Sequence, residues 1–359
     1  MLNDELNDQA RSTIEPIADA LRHYIEARDE AKTTELIFDR FFGGVTLAEW
    51  FDRHGAWREM VELWGRAIEL TNQPNALARL HHELSIALRQ QGEWEKAIAE
   101  CNLGLELFLK LNDKIGVSAC RHLLGMLYQD KGEDDLAWNE YQISIELDTQ
   151  LGDELGVSKV RHQIGTIYQE RGELDKALDE FNASLEIAKR LDYESGIAKS
   201  HHQIGMIFQE KKQWSKALEE YRVSLDTHYK LMDLAGVSAT RHQLGKVYQE
   251  QGDYDSAWSE YEASLKLCEQ TGDINGIAVS RAQLGILMRS RKEFDSSLEH
   301  FLVALAIFTK LRSPNVKGVL GDLARLRQEW GVALFEREWK SRTGQDVPKW
   351  FSGGKVAQA

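Results

Sequence analysis

RHQIGTIYQERG, residues 161–172, decides the fold because the phrase returns along the chain. It reads RHLLGMLYQDKG at 121–132, HHQIGMIFQEKK at 201–212, RHQLGKVYQEQG at 241–252 and RAQLGILMRSRK at 281–292. The marker glycines Gly125, Gly165, Gly205, Gly245 and Gly285 therefore stand 40 residues apart. HHELSIALRQQG at 81–92 is the same phrase with Ser85 in the glycine's place, and the stretch from Gly55 reads as the second half of an earlier, divergent unit. Six clear repeats and one degraded repeat result. A constant period of this size marks an array of stacked units, each unable to bury its own apolar face alone.

Each unit reads as two helices. Val157, Val160, Ile164, Ile167 and Tyr168 form one apolar stripe at helical spacing, and Leu174, Ala177, Leu178, Phe181, Leu185 and Ala188 form a second. Gly172 separates them. Gly92, Gly132 and Gly252 share its place and suit a left-handed helix terminus, which Lys212 and Lys292 adopt only at some cost. A further row, Gly116, Gly156, Gly196, Gly236 and Gly276, predicts close approach of successive repeats.

Outside the repeats, Ile14, Ile17, Leu21 and Ile25 have helical spacing, Phe41 and Phe42 precede a break at Gly43 and Gly44, and Thr46 with Glu49 fits a capping box. Val316, Leu320, Leu323, Leu326 and Trp330 predict a closing helix over the last exposed face. The division is thus a helical cap at 1–45, the array at 46–313, a capping helix at 314–342 and a flexible tail at 343–359. Trp339, Trp350 and Phe351 make that end aromatic, either packed against the last helix or free to dock elsewhere.

Composition narrows the function. Acidic residues outnumber basic ones 58 to 44, a net charge of -14, which opposes nucleic acid and anionic membranes as partners. The N-terminus MLNDELNDQA is acidic where a secretion signal would be basic and then apolar, and no apolar run is long enough to span a bilayer, so a cytoplasmic protein is expected. Cys101, Cys120 and Cys268 form no metal-binding spacing and predict reduced, packed thiols. Cys101 takes the place that Tyr141 and Phe181 hold later. No phosphate-binding loop, zinc-protease or nucleophile-elbow motif occurs, so neither an enzyme nor a cofactor is expected.

The candidate site is a face of the first helices. At roughly 100° per residue, His162 lies about 160° from Ile164, opposite the apolar stripe, with Gln169 beside it. The pair recurs as His122 with Gln129, His202 with Gln209 and His242 with Gln249, while His82 pairs with Arg89. An exposed histidine and glutamine row follows, either a binding surface or the solvated residue of duplication. If it is exposed, its imidazoles charge together near pH ~6.5. One histidine per repeat is too widely spaced to share a zinc ion. Lys159 and Lys199 alternate with Ala119 and Ala239 on the same helices, and Met126 and Met206 with Thr166 and Lys246, which could supply specificity. Asp130, Glu170, Glu210 and Glu250 follow the glutamines, as a groove edge for a basic partner or as a solvated charge row.

Glycine, an aromatic three residues on, alanine twelve on and an aromatic sixteen on resembles the tetratricopeptide repeat. Gly165, Tyr168, Ala177 and Phe181 carry the likeness and Gly245, Tyr248, Ala257 and Tyr261 repeat it, while Met288 and Ser297 depart from it in the last unit. The period of 40 exceeds the family's usual 34 or so and is similar to sensor arrays of bacterial signal-transducing NTPases and of sugar-responsive activators. The resemblance implies an all-α, right-handed superhelical solenoid of antiparallel helix pairs whose first helices line a concave groove. It implies a non-enzymatic scaffold or adaptor for a protein or peptide, in a signalling or defence system, and alternatively a small-ligand sensor. The groove residues so implied are His82, His122, Gln129, Lys159, His162, Gln169, Lys199, His202, Gln209, His242 and Gln249. The Lys and Asn clamp with which chaperone-binding members hold a terminal carboxylate is not reproduced, since His162 and Thr166 stand in those places.

Overall fold

The computed structural model describes residues 18–38 and 57–348, and every regular element among them is a helix. The Gly43 and Gly44 break, the Thr46 and Glu49 cap, Ile14, Ile17, Gly55, Trp350 and Phe351 lie outside the described residues. The chain divides between Leu191 and Asp192 into two compact units.

In the first unit, helical residues 18–26 precede α1 (Glu30–Phe38) and α2 (Trp57–Leu70). Three helix pairs follow: α3 (Pro74–Gln90) with α4 (Trp94–Lys110), α5 (Lys114–Asp130) with α6 (Asp134–Leu151), and α7 (Glu154–Glu170) with α8 (Leu174–Arg190). The second unit holds α9 (Glu194–Glu210) with α10 (Trp214–Lys230), α11 (Leu234–Glu250) with α12 (Tyr254–Thr271), and α13 (Ile274–Ser290) with α14 (Phe294–Lys310). Within each unit the second helix of one pair packs on the first helix of the next, and successive first helices also touch.

The turn chemistry sets the period. Most helices run 17 residues and end in a short turn whose second residue is left-handed. Gly172 has φ +74°, and Lys212 and Lys292 adopt the same region at 57° and 64°, as the sequence predicts. A second row, between repeats, places Asn112, Gly152, Asp192, Met232, Gly272 and Arg312 there too. It escaped the sequence reading because glycine fills it only twice. Left-handed backbone is unfavourable for a side-chain-bearing residue. Met232→Gly and Lys292→Gly are therefore expected to raise stability by about 0.5–1 kcal/mol each, read as a rise in the denaturant midpoint.

Close packing explains the marker glycines. A Cβ at Gly165 would stand 2.8 Å from the Phe181 ring, and one at Gly205 or Gly245 would stand 2.7 Å from Tyr221 or Tyr261. These aromatic rings are fully buried. The first repeat solves the same contact with a different pair: Ser85 supplies the side-chain volume, and Cys101 replaces the ring. The Ser85 hydroxyl donates to the Ala97 carbonyl at 2.7 Å, and Cys101 is fully buried. Buried serines elsewhere let paired helices approach, as Ser158 and Ser184 do with their hydroxyls 3.0 Å apart. The glycine row at Gly156, Gly236 and Gly276 serves twice, because each backbone N–H donates to the capping Asp153, Asp233 or Asp273 at 2.8–3.0 Å.

The single closing helix predicted from sequence is two: α15 (Val316–Trp330) and α16 (Val332–Thr343), broken at Gly331 with φ 95°. Phe335 and Trp339 of α16 are buried with Phe308, Leu323 and Leu326. Trp339 is thus part of the core.

Candidate functional site

The predicted histidines sit on first helices in one register, but they do not project into solvent. Each is half-buried, and all but His82, whose second helix carries Cys101 in that place, set the ring against the aromatic of their own second helix. Centroids are 5.8 Å apart for His122 and Tyr141, 5.2 Å for His162 and Phe181, and 5.5 Å for both His202 with Tyr221 and His242 with Tyr261. His82 pairs with the Ala119 backbone and His202 Nδ1 lies 3.0 Å from the Thr240 hydroxyl, each on the next first helix. Two neighbours therefore cover a face that the single-helix projection leaves open.

This corrects the expected titration near pH 6.5. Burial pushes the imidazoles of His82, His122 and His242 down to about 4, with Lys159 adding to the effect at His122 and Lys246 at His242. These rings are neutral at physiological pH. Partner affinity is accordingly expected to be flat between pH ~8 and ~6, which titration calorimetry at both values would check.

The glutamines are tied as well. Gln129, Gln209 and Gln249 accept from the hydroxyls of Tyr141, Tyr221 and Tyr261 at 3.1, 2.9 and 2.8 Å. The amides of Gln129 and Gln209 face Glu170 and Glu250 of the following repeat at 3.4 and 3.5 Å, and Asp130 takes Arg89 at 2.6 Å. Asp130, Glu170 and Glu250 thus link successive repeats. Phe181 offers no hydroxyl to Gln169, which keeps the register and loses that bond. Lys159 and Lys199 are exposed, as are Ala119 and Ala239.

Concavities lie between successive first helices. In the second unit a cleft of about 540 Å³ between α9 and α11 has Met206 and Trp214 as apolar walls, with Gln209, Gln243, Lys246 and Glu250 as polar lining. The Gln243 carbonyl oxygen is buried there without a hydrogen-bond partner in the protein. In the first unit a cleft of about 410 Å³ lies between α5 and α7, over α6. His122 and Lys159 of the predicted set line it, together with Ser118 and Asp148. Asp148 comes from a second helix and was not singled out from sequence, although it is the one carboxylate in the column Phe108, Asp148, Ala188, His228, Cys268, Phe308.

No group of three or more metal-ligating side chains occurs among the described residues. Cys101, Cys120 and Cys268 are free and buried, and the neighbouring Cys120 and burial hold the Cys101 thiol well up, against nucleophilic use. No helix among the described residues is long and apolar enough to cross a membrane.

The family model described as the tetratricopeptide repeat matches residues 156–229 and 236–310. No curated protein sequence matches the chain. Among solved structures, the apo quorum sensor NprR from B. thuringiensis is similar with a TM-score of 0.64 at 14% identity, over 84% of this chain and 86% of that one. The Rap conjugation gene regulator of plasmid pLS20, solved with the Phr* peptide, gives 0.59 at 13%, over 92% and 94%. BtubC from P. vanneervenii gives 0.51 at 21%, over 64% and 93%. At these identities the likeness is one of fold. The 40-residue register, the paired helices and the matching repeat model agree: residues 156–229 and 236–310 are tetratricopeptide repeats, and the chain has the fold of tetratricopeptide-repeat proteins.

Proposed function

We propose that this protein is a non-catalytic scaffold or adaptor that binds a protein or peptide along the face of its first helices, as a regulatory component of a signalling or defence system. The observation that carries the reading is a cleft in each unit, opening between successive first helices and lined by both polar and apolar side chains. An extended segment suits either cleft, because a side chain can enter it while the polar lining meets the backbone. Lys159, Lys199 and Lys246 contribute the accessible, variable positions. His82, His122, His162, His202 and His242 with Gln129, Gln169, Gln209 and Gln249 form the packed wall behind them. The Rap regulator solved with its Phr* peptide supports this use of the fold.

A second reading, a small-ligand sensor, is favoured by one feature: the cleft at Trp214 is of a size that holds a metabolite, with an aromatic wall. Selection from a random peptide library on the immobilised full chain separates the two. Enriched peptides are expected to lose at least tenfold in affinity against Lys246→Glu and none against Leu103→Lys, an exposed position on a second helix. Failure to enrich any peptide, with saturable binding of a sugar at Trp214, would reverse the order.

A further inference from the structure

We propose that the cleft between α5 and α7 is a specificity subsite for a cationic side chain of the partner, a guanidinium or an alkylammonium, with Asp148 as its counter-charge. The inference deepens the peptide-binding reading and rests on it.

Asp148 is only 5% exposed, and no basic side chain among the described residues forms an ion pair with it. Ser118 donates a short hydrogen bond to Oδ1. Oδ2 is turned toward Gly156, where it and Oδ2 of Asp153 both lie within 3 Å of the point a Cβ would occupy. Two carboxylates thus converge, and one of them is buried. A buried carboxylate without an ion-pair partner is unfavourable, and burial pushes the Asp148 carboxyl above the usual range, with Asp153 adding to it and the Ser118 and Ser144 hydroxyls and the more distant Lys159 only partly offsetting it. The cleft is one positive charge short. The same column elsewhere is neutral or locally paired: Phe108, Ala188 and Cys268 carry no carboxylate, and His228 Nδ1 lies 2.8 Å from Asp233.

A second observation points to the same guest. Nε2 of His122, in the wall of this cleft, is buried with no hydrogen-bond partner, whereas His82 and His202 find theirs on the next first helix. A neutral imidazole nitrogen can accept from a guanidinium or ammonium N–H that also meets Asp148. Ile115, Leu151 and Leu155 supply apolar lining for the methylene stem of such a side chain. At about 410 Å³ the space far exceeds a bare metal ion, and the two carboxylates lack the third ligating side chain of a metal cluster. Lys159 is exposed at the rim and makes no ion pair with Asp148, so it repels a cationic guest and limits its affinity.

The test uses the full chain, n-butylguanidinium and n-butylammonium as probes, and neutral n-butylurea as control, with affinities from ligand-observed magnetic resonance. Saturable binding of the cations but not the urea is expected, at least tenfold weaker in Asp148→Asn and in Asp148→Ala, and a few-fold stronger in Lys159→Met. Asp148→Ala reproduces the natural Ala188, and unchanged or raised thermal stability in it would show that any loss of binding is not loss of fold. Peptides selected on the wild-type chain are expected to carry Arg or Lys at one position, and those selected on Asp148→Asn to lose that preference. Cation binding that is absent, or that survives in both Asp148 variants, overturns the subsite. Peptides enriched on both chains without a basic position overturn its role in recognition while leaving peptide binding standing. No enriched peptide at all, with cation binding intact, overturns the peptide reading and leaves a cation pocket.

Discussion

Lowering the pH from 7.5 to 5 is expected to weaken the fold on the order of 2 kcal/mol for each of His82, His122 and His242. The sign follows from where the protons go. In the unfolded chain these imidazoles protonate near pH ~6.5, whereas in the folded chain burial holds them down to about 4. The unfolded state therefore binds more protons between those values. Stability is fully present above the unfolded pKa and is lost progressively as pH falls toward the folded one. Asp148, raised in the folded state, works in the opposite direction but is a single group. Denaturant midpoints at pH 7.5 and 5 would measure the loss. The variant His82→Gln, His122→Gln, His242→Gln should show a markedly flatter pH dependence. An equal slope in both chains would show that the rings are accessible after all.

The second large effect concerns the contact between marker glycine and buried ring. Gly245→Ser introduces a Cβ 2.7 Å from Tyr261, and overpacking of this kind costs about 1–3 kcal/mol. Tyr261→Cys empties a fully buried site, at a cost of roughly 3–5 kcal/mol by analogy with aromatic truncations. The double variant recreates the combination the protein already uses at Ser85 and Cys101. Its destabilisation should fall short of the sum by about 1–3 kcal/mol, a coupling readable from a denaturation cycle. Strict additivity would mean that the two positions do not share the volume.

How far the residues announce this structure differs from one position to another. The helix pairs are legible because apolar spacing and turn glycines agree, and Lys212 and Lys292 show that the turn survives where glycine is missing. The Met232 and Arg312 turns are not legible, since nothing in those residue types favours a left-handed backbone. The histidine register is plain in the sequence but its environment is not. A helical projection locates His162 away from its own stripe, yet an array presses each first helix against a second helix and against the next first helix. Burial of His122 on Tyr141 therefore arises from neighbours 19 residues on and in the following repeat. The acids after the glutamines show the same limit, because Asp130 answers Arg89 across 41 residues. Asp148 could have been found by aligning the repeats and asking which column holds one carboxylate among core residues.

The most direct test of binding by the first-helix face is site-specific photocrosslinking in extract of the source cells. Ala119 and Ala239 are exposed on first helices, and Leu103 and Val223 are exposed on second helices. A photoreactive residue placed singly at each position is predicted to yield a discrete protein or peptide adduct from 119 and 239 and none from 103 and 223. Adducts confined to 103 and 223, or no adduct from any of the four, would contradict the account.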